Sequence, residues 1–499
     1  MKLSLSALLM SLAVLATTSL AGADPIGSTD HPFLSLLFAD NMVLQRARPI
    51  PVFGWTSPGA NVTVRLKGAT AKATAGTDGH WQAELPAMRA GGPYELVVSG
   101  PQTVTLKNVL IGDVWICSGQ SNMEFGIGNA NDAAQEIAAA NDPQIRLFTV
   151  RKVIATEPQP SLAGPFPDLM GQWSVCTPQT VATGGWNGFS AVGYFFGREL
   201  QHTLHVPIGL IHTSWGGTPA EAWTSAEALS AIPDYAPALA DLPRRRTETP
   251  SHTDQNFPTV LYNGMIAPLI PYGIKGAIWY QGESNAGKAY QYRTLLPTMI
   301  EDWRHRWNEG DFPFLIVQLA NFQKHNEQPV DDAWAELREA QSLTAKHLKN
   351  CGIAVTIDIG NADDIHPKDK QDVGKRLALV ALNRTYGDRV EYSGPEYAGM
   401  KRDGAAIRLR FTHTDGQLVA KGGDKLEGFA IAGADKKFVW ADARIEGDSI
   451  IVSSSQVPDP VAVRYAWSIN PVCNLYNKAD LPASPFRTDD WPPITLNNK

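Results

Sequence analysis

Val109-Leu110-Ile111-Gly112-Asp113-Val114-Trp115-Ile116-Cys117, followed closely by Gly119-Gln120-Ser121-Asn122-Met123, is the stretch on which the reading of the fold turns. A nearly continuous apolar run of this kind lacks the alternation of a half-solvated strand. It suits a strand covered on both faces, as in a parallel sheet flanked by helices. Residues 208–212, 276–280, 314–318 and 354–357 repeat the pattern, and helical patterns lie between them at 193–200 and 334–341. Strand and helix alternating in this way predict an α/β fold with a parallel sheet over residues 109–390.

The flanks differ in texture. Residues 32–108 carry alternating or β-branched runs such as Val62-Thr63-Val64-Arg65-Leu66, with Asp78-Gly79 and Gly91-Gly92-Pro93 as turns, and predict a β-sandwich-like domain. Residues 391–499 return to β texture at 406–411 and 449–452. The polar, proline-bearing stretch at 241–258 reads as a surface excursion, and 225–258 as a loop that shapes the cleft. At the N-terminus, Lys2 precedes an apolar stretch through Leu8-Leu9-Met10 and Val14-Leu15-Ala16, and Ala21-Gly22-Ala23 offers a small-x-small cleavage pattern. Residues 1–23 are expected to be an export signal, which predicts a secreted or periplasmic protein.

With 499 residues the chain is too long for one ordinary core, which fits two or three domains. The formal charge is −7 and the one basic run, Arg244-Arg245-Arg246, sits among Pro and Thr, so neither a nucleic-acid nor a membrane partner is expected. Four widely spaced cysteines (Cys117, Cys176, Cys351, Cys473) form no C-x-x-C pair; export permits a disulfide, with three pairings open. No H-E-x-x-H or clustered-histidine pattern appears, and neither a metal nor another cofactor is expected.

Ser121 falls at the C-terminal end of the predicted central strand, where open α/β sheets place their ligands. Asp363-Asp364-Ile365-His366-Pro367 offers an imidazole with a carboxylate three residues before it. In a tight turn Asp363 can hold one ring nitrogen while the other takes the Ser121 proton, leaving Asp364 as a possible helix cap. The Ser121 N–H, the glycines of Ser214-Trp215-Gly216-Gly217-Thr218 and the amide of Gln281 are candidates for an oxyanion hole, with Asn285 as the second amide. Asn122, Glu283 and Asn285 are candidate substrate contacts.

These blocks together resemble the sialate O-acetylesterase-like family within the SGNH hydrolases. The likeness rests on Gly119-Gln120-Ser121-Asn122-Met123, Ser-Trp-Gly-Gly-Thr at 214–218, Trp279-Tyr280-Gln281-Gly282-Glu283-Ser284-Asn285 and Asp363-x-x-His366-Pro367. It extends to Phe189-Ser190-Ala191-Val192-Gly193-Tyr194-Phe195-Phe196, Val463-Arg464-Tyr465-Ala466-Trp467 and Cys473-Asn474-Leu475-Tyr476-Asn477. The resemblance implies a flavodoxin-like α/β/α catalytic domain with additional β-domains, and removal of acetyl groups from sugar hydroxyls. It implies Ser121 as nucleophile, His366 as base and Asp363 as its partner. One departure is Ser284, where the usual Gly-x-Asn-Asp block carries asparagine. The expected substrate is an O-acetylated oligosaccharide or glycan of plant cell walls, xyloglucan or xylan in type, with O-acetylated sialic acids as the alternative. A lipase or thioesterase on the same fold, or a non-catalytic glycan-binding protein, are the remaining readings.

Overall fold

A computed structural model describes residues 31–164, 168–246 and 254–499. The expected export signal therefore lies outside the described residues, as does part of the polar segment before Pro258. The centre is a sheet whose strands run, edge to edge, Cys351–Ala354, Phe314–Val317, Gly276–Tyr280, Thr103–Gly119, Ile208–Ser214, Asp142–Thr149 and Trp173–Cys176. Each neighbouring pair is parallel except the last. The run at 314–318 appears where predicted, whereas 354–357 does not: the edge strand ends at Ala354 and the following residues lead into the His366 loop.

Register explains how the sheet is covered. Trp115 pairs with Gly276 and Ser118 with Trp279, so Trp115 and Trp279 point to opposite faces. Trp115 meets Phe196 edge-on at 5.0 Å, under helix Ala191–Leu204, which packs with Lys370–Arg384. Trp279 meets Trp303 at 5.9 Å, under helix Ala289–Trp307, which packs with Ala333–His347. Two helix layers exclude water from both faces, which is why the central run is apolar throughout. Its single charge, Asp113, is buried but receives both guanidinium arms of Arg46 (2.9 and 2.8 Å), Gln45 Nε2 and Tyr386 Oη.

Strand Thr103–Gly119 is 17 residues long and belongs to two structures at once. Its first half pairs antiparallel with Gly91–Ser99 and its middle pairs parallel with Val43–Gln45; its second half lies at the centre of the parallel sheet. Residues of the N-terminal β region and of the central sheet accordingly share one continuous hydrophobic core. The C-terminal β region has its own, built on Ile407, Leu409, Phe429, Ile431, Ile450, Val452 and Tyr465.

Much of the segment read as a polar loop is helical. Ala226–Leu229 is capped by the Ser225 side chain, and Ala236–Arg245 carries Pro237 in its first turn, where a missing N–H costs nothing. Arg244 and Arg245 both bind Asp241 within the helix, at 2.7 and 2.9 Å, and Arg246 pairs with Glu157 at 3.2 Å, so every charge of this basic run is matched. All four cysteines are free thiols. Among the described residues no helix is long and apolar enough to cross a membrane, and no cluster of three metal-ligating side chains occurs.

Candidate active site

The central strand ends at Gly119 with φ +139°, a conformation that L side chains rarely adopt. A Cβ there would lie 2.1 Å from the Tyr280 carbonyl oxygen, so only glycine lets the two strand ends approach this closely. The chain then turns into one helical turn, Ser121–Glu124, and Ser121 emerges at the sheet's C-terminal edge. His366 arrives from the loop beyond Cys351–Ala354 and places Nε2 2.9 Å from Ser121 Oγ. Phe125 stacks parallel to the imidazole at 6.4 Å, and Trp186, 40 % exposed, meets it edge-on at 5.1 Å.

The carboxylate against the imidazole is Asp364, not Asp363. Asp364 Oδ1 lies 3.3 Å from His366 Nδ1 and also accepts the His366 backbone N–H at 2.9 Å. This turn, closed over two residues, brings the i−2 side chain under the ring. Asp363 is exposed, and its own N–H is held by Asn361 Oδ1. Asp364 does not cap the next helix either: Asp369 does, accepting from Asp372 N–H at 3.0 Å. Burial, followed by the nearby Lys370 charge, pushes the His366 pKa down, and Asp364 partly offsets this.

The amides expected at the oxyanion and substrate positions are built into the scaffold instead. Gln281 is fully buried; its Nε2 donates to Asn285 Oδ1 (2.6 Å) and Thr218 O, and its Oε1 accepts from Tyr292 Oη (2.7 Å). Asn285 is buried too, donating to Glu221 Oε2 at 2.8 Å and accepting the Ala220 N–H. Gln281 has no N–H left for a developing oxyanion, and Asn285 is tied into the scaffold through both ends of its amide. Gly216 lies directly beside the serine, since a Cβ on it would sit 3.3 Å from Ser121 Cβ, but its N–H donates to Glu124 Oε2 at 2.7 Å. Gly217, at φ +74°, is exposed with open space around it.

Asn122 and Glu283 form a buried network rather than a sugar-contacting surface. Asn122 Nδ2 donates to Glu283 Oε1 (2.6 Å) and Ile365 O (3.0 Å), while its Oδ1 accepts from Lys370 Nζ at 2.6 Å. Lys370 also lies over the rings of Phe125 and Tyr280, at 4.8 and 5.2 Å. Burial lowers its ammonium to about 7 against the pull of Glu283, Asp364 and Asp369, and burial likewise raises the Glu283 carboxyl. Sequence reasoning missed Lys370, Trp186 and Glu124. The Glu124 signal lay in the motif itself, a carboxylate three residues after the serine; the other two are visible only in three dimensions.

A serine hydroxyl, an imidazole and a carboxylate in a row form the arrangement that acyl transfer requires. Comparison with known proteins decides which acyl transfer. Residues 111–383 match the family described as carbohydrate esterase, sialic acid-specific acetylesterase. The chain is also 32% identical to sialate O-acetylesterase of Homo sapiens, over 93% of this chain and 94% of that one. This chain belongs to the sialic acid-specific acetylesterase family of carbohydrate esterases. It is a carbohydrate acetylesterase, a carboxylic ester hydrolase. Another relative of this acetylesterase, sialate O-acetylesterase of Mus musculus, is 31% identical over 90% of this chain and 93% of that one. A solved structure described as a novel carbohydrate acetylesterase from Xanthomonas citri is 44% identical, with a TM-score of 0.82. The match covers 92% of this chain and 99% of that chain.

Proposed function

We propose that this acetylesterase uses Ser121 as nucleophile, His366 as general base and Asp364 as the carboxylate that orients the imidazole. Its substrate in this reading is a neutral O-acetylated plant cell-wall oligosaccharide of xyloglucan or xylan type. The observation that carries the assignment is the 2.9 Å contact between His366 Nε2 and Ser121 Oγ. His366 takes the hydroxyl proton as Ser121 attacks the acetyl carbonyl. The tetrahedral oxyanion is stabilised by the N–H groups of Ser121 and Gly217, each worth about 3 kcal/mol in the transition state. Collapse expels the sugar hydroxyl, which takes the proton from His366, and water activated by the same imidazole releases acetate.

Charge supports a neutral sugar. A sialate carries a carboxylate that needs an available cation, and the two lysines packed at the site are engaged. Lys152 Nζ sits 2.5 Å from Glu124 Oε1 and over the Trp215 ring, and Lys370 is buried on Asn122. The exposed Trp186 beside His366 supplies an apolar face for the ring bearing the acetyl group. O-acetylated sialic acids are the second reading, favoured by the names of the mammalian relatives. Export, which rests on the charge, apolar stretch and small-residue pattern of residues 1–23, would bring the enzyme to such polymers.

The deciding experiment measures acetate release by the wild type and Ser121→Ala from acetylated xyloglucan and xylan fragments and from O-acetylated sialosides. Turnover on the neutral fragments, lost by about 10³-fold or more in the variant, is expected. Exclusive turnover of sialosides would overturn the substrate class, and unchanged turnover in the variant the nucleophile.

A further inference from the structure

A second concave feature lies away from Ser121, where the catalytic and C-terminal regions meet. Trp440, 44 % exposed, and Val472, 49 % exposed, line a cleft together with His325 and Asn470. The outer part encloses about 260 Å³, just below the ~300–1,000 Å³ typical of small-ligand sites. The cleft continues inward to Trp467, whose buried indole N–H meets no acceptor among the described residues. A shielded donor left without a partner is rare in folded proteins and calls for an explanation.

The cleft connects to the catalytic loop by a short run of hydrogen bonds. Asn470 Oδ1 accepts from Asn321 Nδ2 at 2.9 Å, and Asn321 Oδ1 accepts the Gly360 N–H at 2.6 Å. Gln323 N–H then donates to Ala362 O at 3.1 Å, two residues before Asp364.

We propose that this cleft is a second carbohydrate subsite, which holds a neutral polysaccharide segment while a neighbouring acetyl group is presented to Ser121. The inference rests on the acetylesterase reading of a polymeric sugar substrate. An exposed indole, aliphatic neighbours and a few fixed polar groups match the faces and hydroxyls of a sugar ring. The guanidinium lining the cleft, Arg464, is held by Asp331 at 2.5 Å and Asp489 at 2.9 Å, so two carboxylates already balance its charge.

The test uses the full chain. Electrophoretic retardation in gels containing deacetylated xyloglucan or xylan is compared for wild type, Trp440→Ala, Trp440→Phe and Val472→Asp. KM is measured on the acetylated polymer and kcat/KM on 4-nitrophenyl acetate. Trp440→Ala and Val472→Asp should weaken polymer binding and raise the polymer KM by about tenfold. Trp440→Phe should retain most binding, and small-ester kcat/KM should stay within about twofold in all three. Val472→Asp lies on the surface and reports even if loss of the Trp440 bond to Glu327 O loosens the loop in Trp440→Ala. Unchanged polymer binding and KM in both variants, no retardation of wild type by either polymer, or equal losses on the small ester would each overturn the subsite. Failure of wild type to release acetate from any ester would instead reject the catalytic reading, since retardation is measured without turnover.

Discussion

Asn122 Nδ2 donates to the backbone carbonyl of Ile365 at 3.0 Å, so the residue after the serine is bonded to the residue before the histidine. The turn after the central strand and the loop beyond the edge strand are tied together by one amide. Lys370 and Glu283 hold that amide from its other sides. The spacing of Ser121 and His366 thus depends on a side chain that touches neither of their reacting atoms. Asn122→Ala should lower kcat by about 10- to 100-fold with little change in KM, because a small misplacement of base from nucleophile is costly. Steady-state kinetics on a small acetyl ester reads this, and an unchanged kcat would remove Asn122 from the positioning role.

The two adjacent aspartates are separable. Asp364→Asn should reduce kcat/KM by about 10²-fold, less than for a buried triad carboxylate because Asp364 is partly solvated. Asp363→Asn should stay within about twofold. Reversal of that order would return the orienting role to Asp363.

The base must be neutral, so activity falls as pH drops through the His366 pKa. Burial and the Lys370 charge lower that pKa, placing the acid limb of kcat/KM below the usual histidine value of about 6.5. Lys370→Met removes a charge that lowers it, so the limb should move to higher pH even if the maximal rate drops. A limb that does not move would show that Lys370 acts on Asn122 alone.

Asn285 offers a contrast between stability and chemistry. Asn285→Ala leaves Glu221 Oε2, the Ala220 N–H and Gln281 Nε2 without their buried partner, a loss of about 2–3 kcal/mol. Thermal unfolding should come earlier, while kcat per folded molecule stays close to wild type. A stable but inactive variant would restore Asn285 to the oxyanion site.

His212 lies in the core of strand Ile208–Ser214, bonded to Ser214 Oγ at 2.5 Å, and burial lowers its pKa to about 3. A base whose folded pKa is depressed is stabilising above its unfolded value, and that contribution is lost as pH falls from about 6.5 towards the folded value. His212→Gln should flatten the decline in stability over that window, as measured by denaturation midpoints across pH.

What could be read from the sequence is what local pattern controls. Continuous apolar runs marked the inner strands at 109–117, 208–212, 276–280 and 314–318 because both sheet faces are covered there, and a glycine-bearing turn after such a run marked Ser121. The choice between Asp363 and Asp364 depended on a turn closed over two residues, which residue spacing does not reveal. Gln281 and Asn285 looked available because nothing nearby in sequence shows that Gln281 donates to Thr218 and Asn285, or that Asn285 is held by Ala220 and Glu221. The helix Ala236–Arg245 was hidden by its prolines and polar face, although its Asp241 to Arg245 spacing was a helical signal. Trp186 and Trp440 carried no signal at all, since an exposed indole and a buried one are the same letter.

The shared strand Thr103–Gly119 has a final consequence for anyone shortening this protein. An excision at the apparent junction near Val109 would split a continuous β-strand, strip Val43–Gln45 from its side and lay bare apolar residues under the catalytic turn. The N-terminal part is therefore no detachable cassette, and a truncated version should precipitate rather than survive as a minimal catalyst.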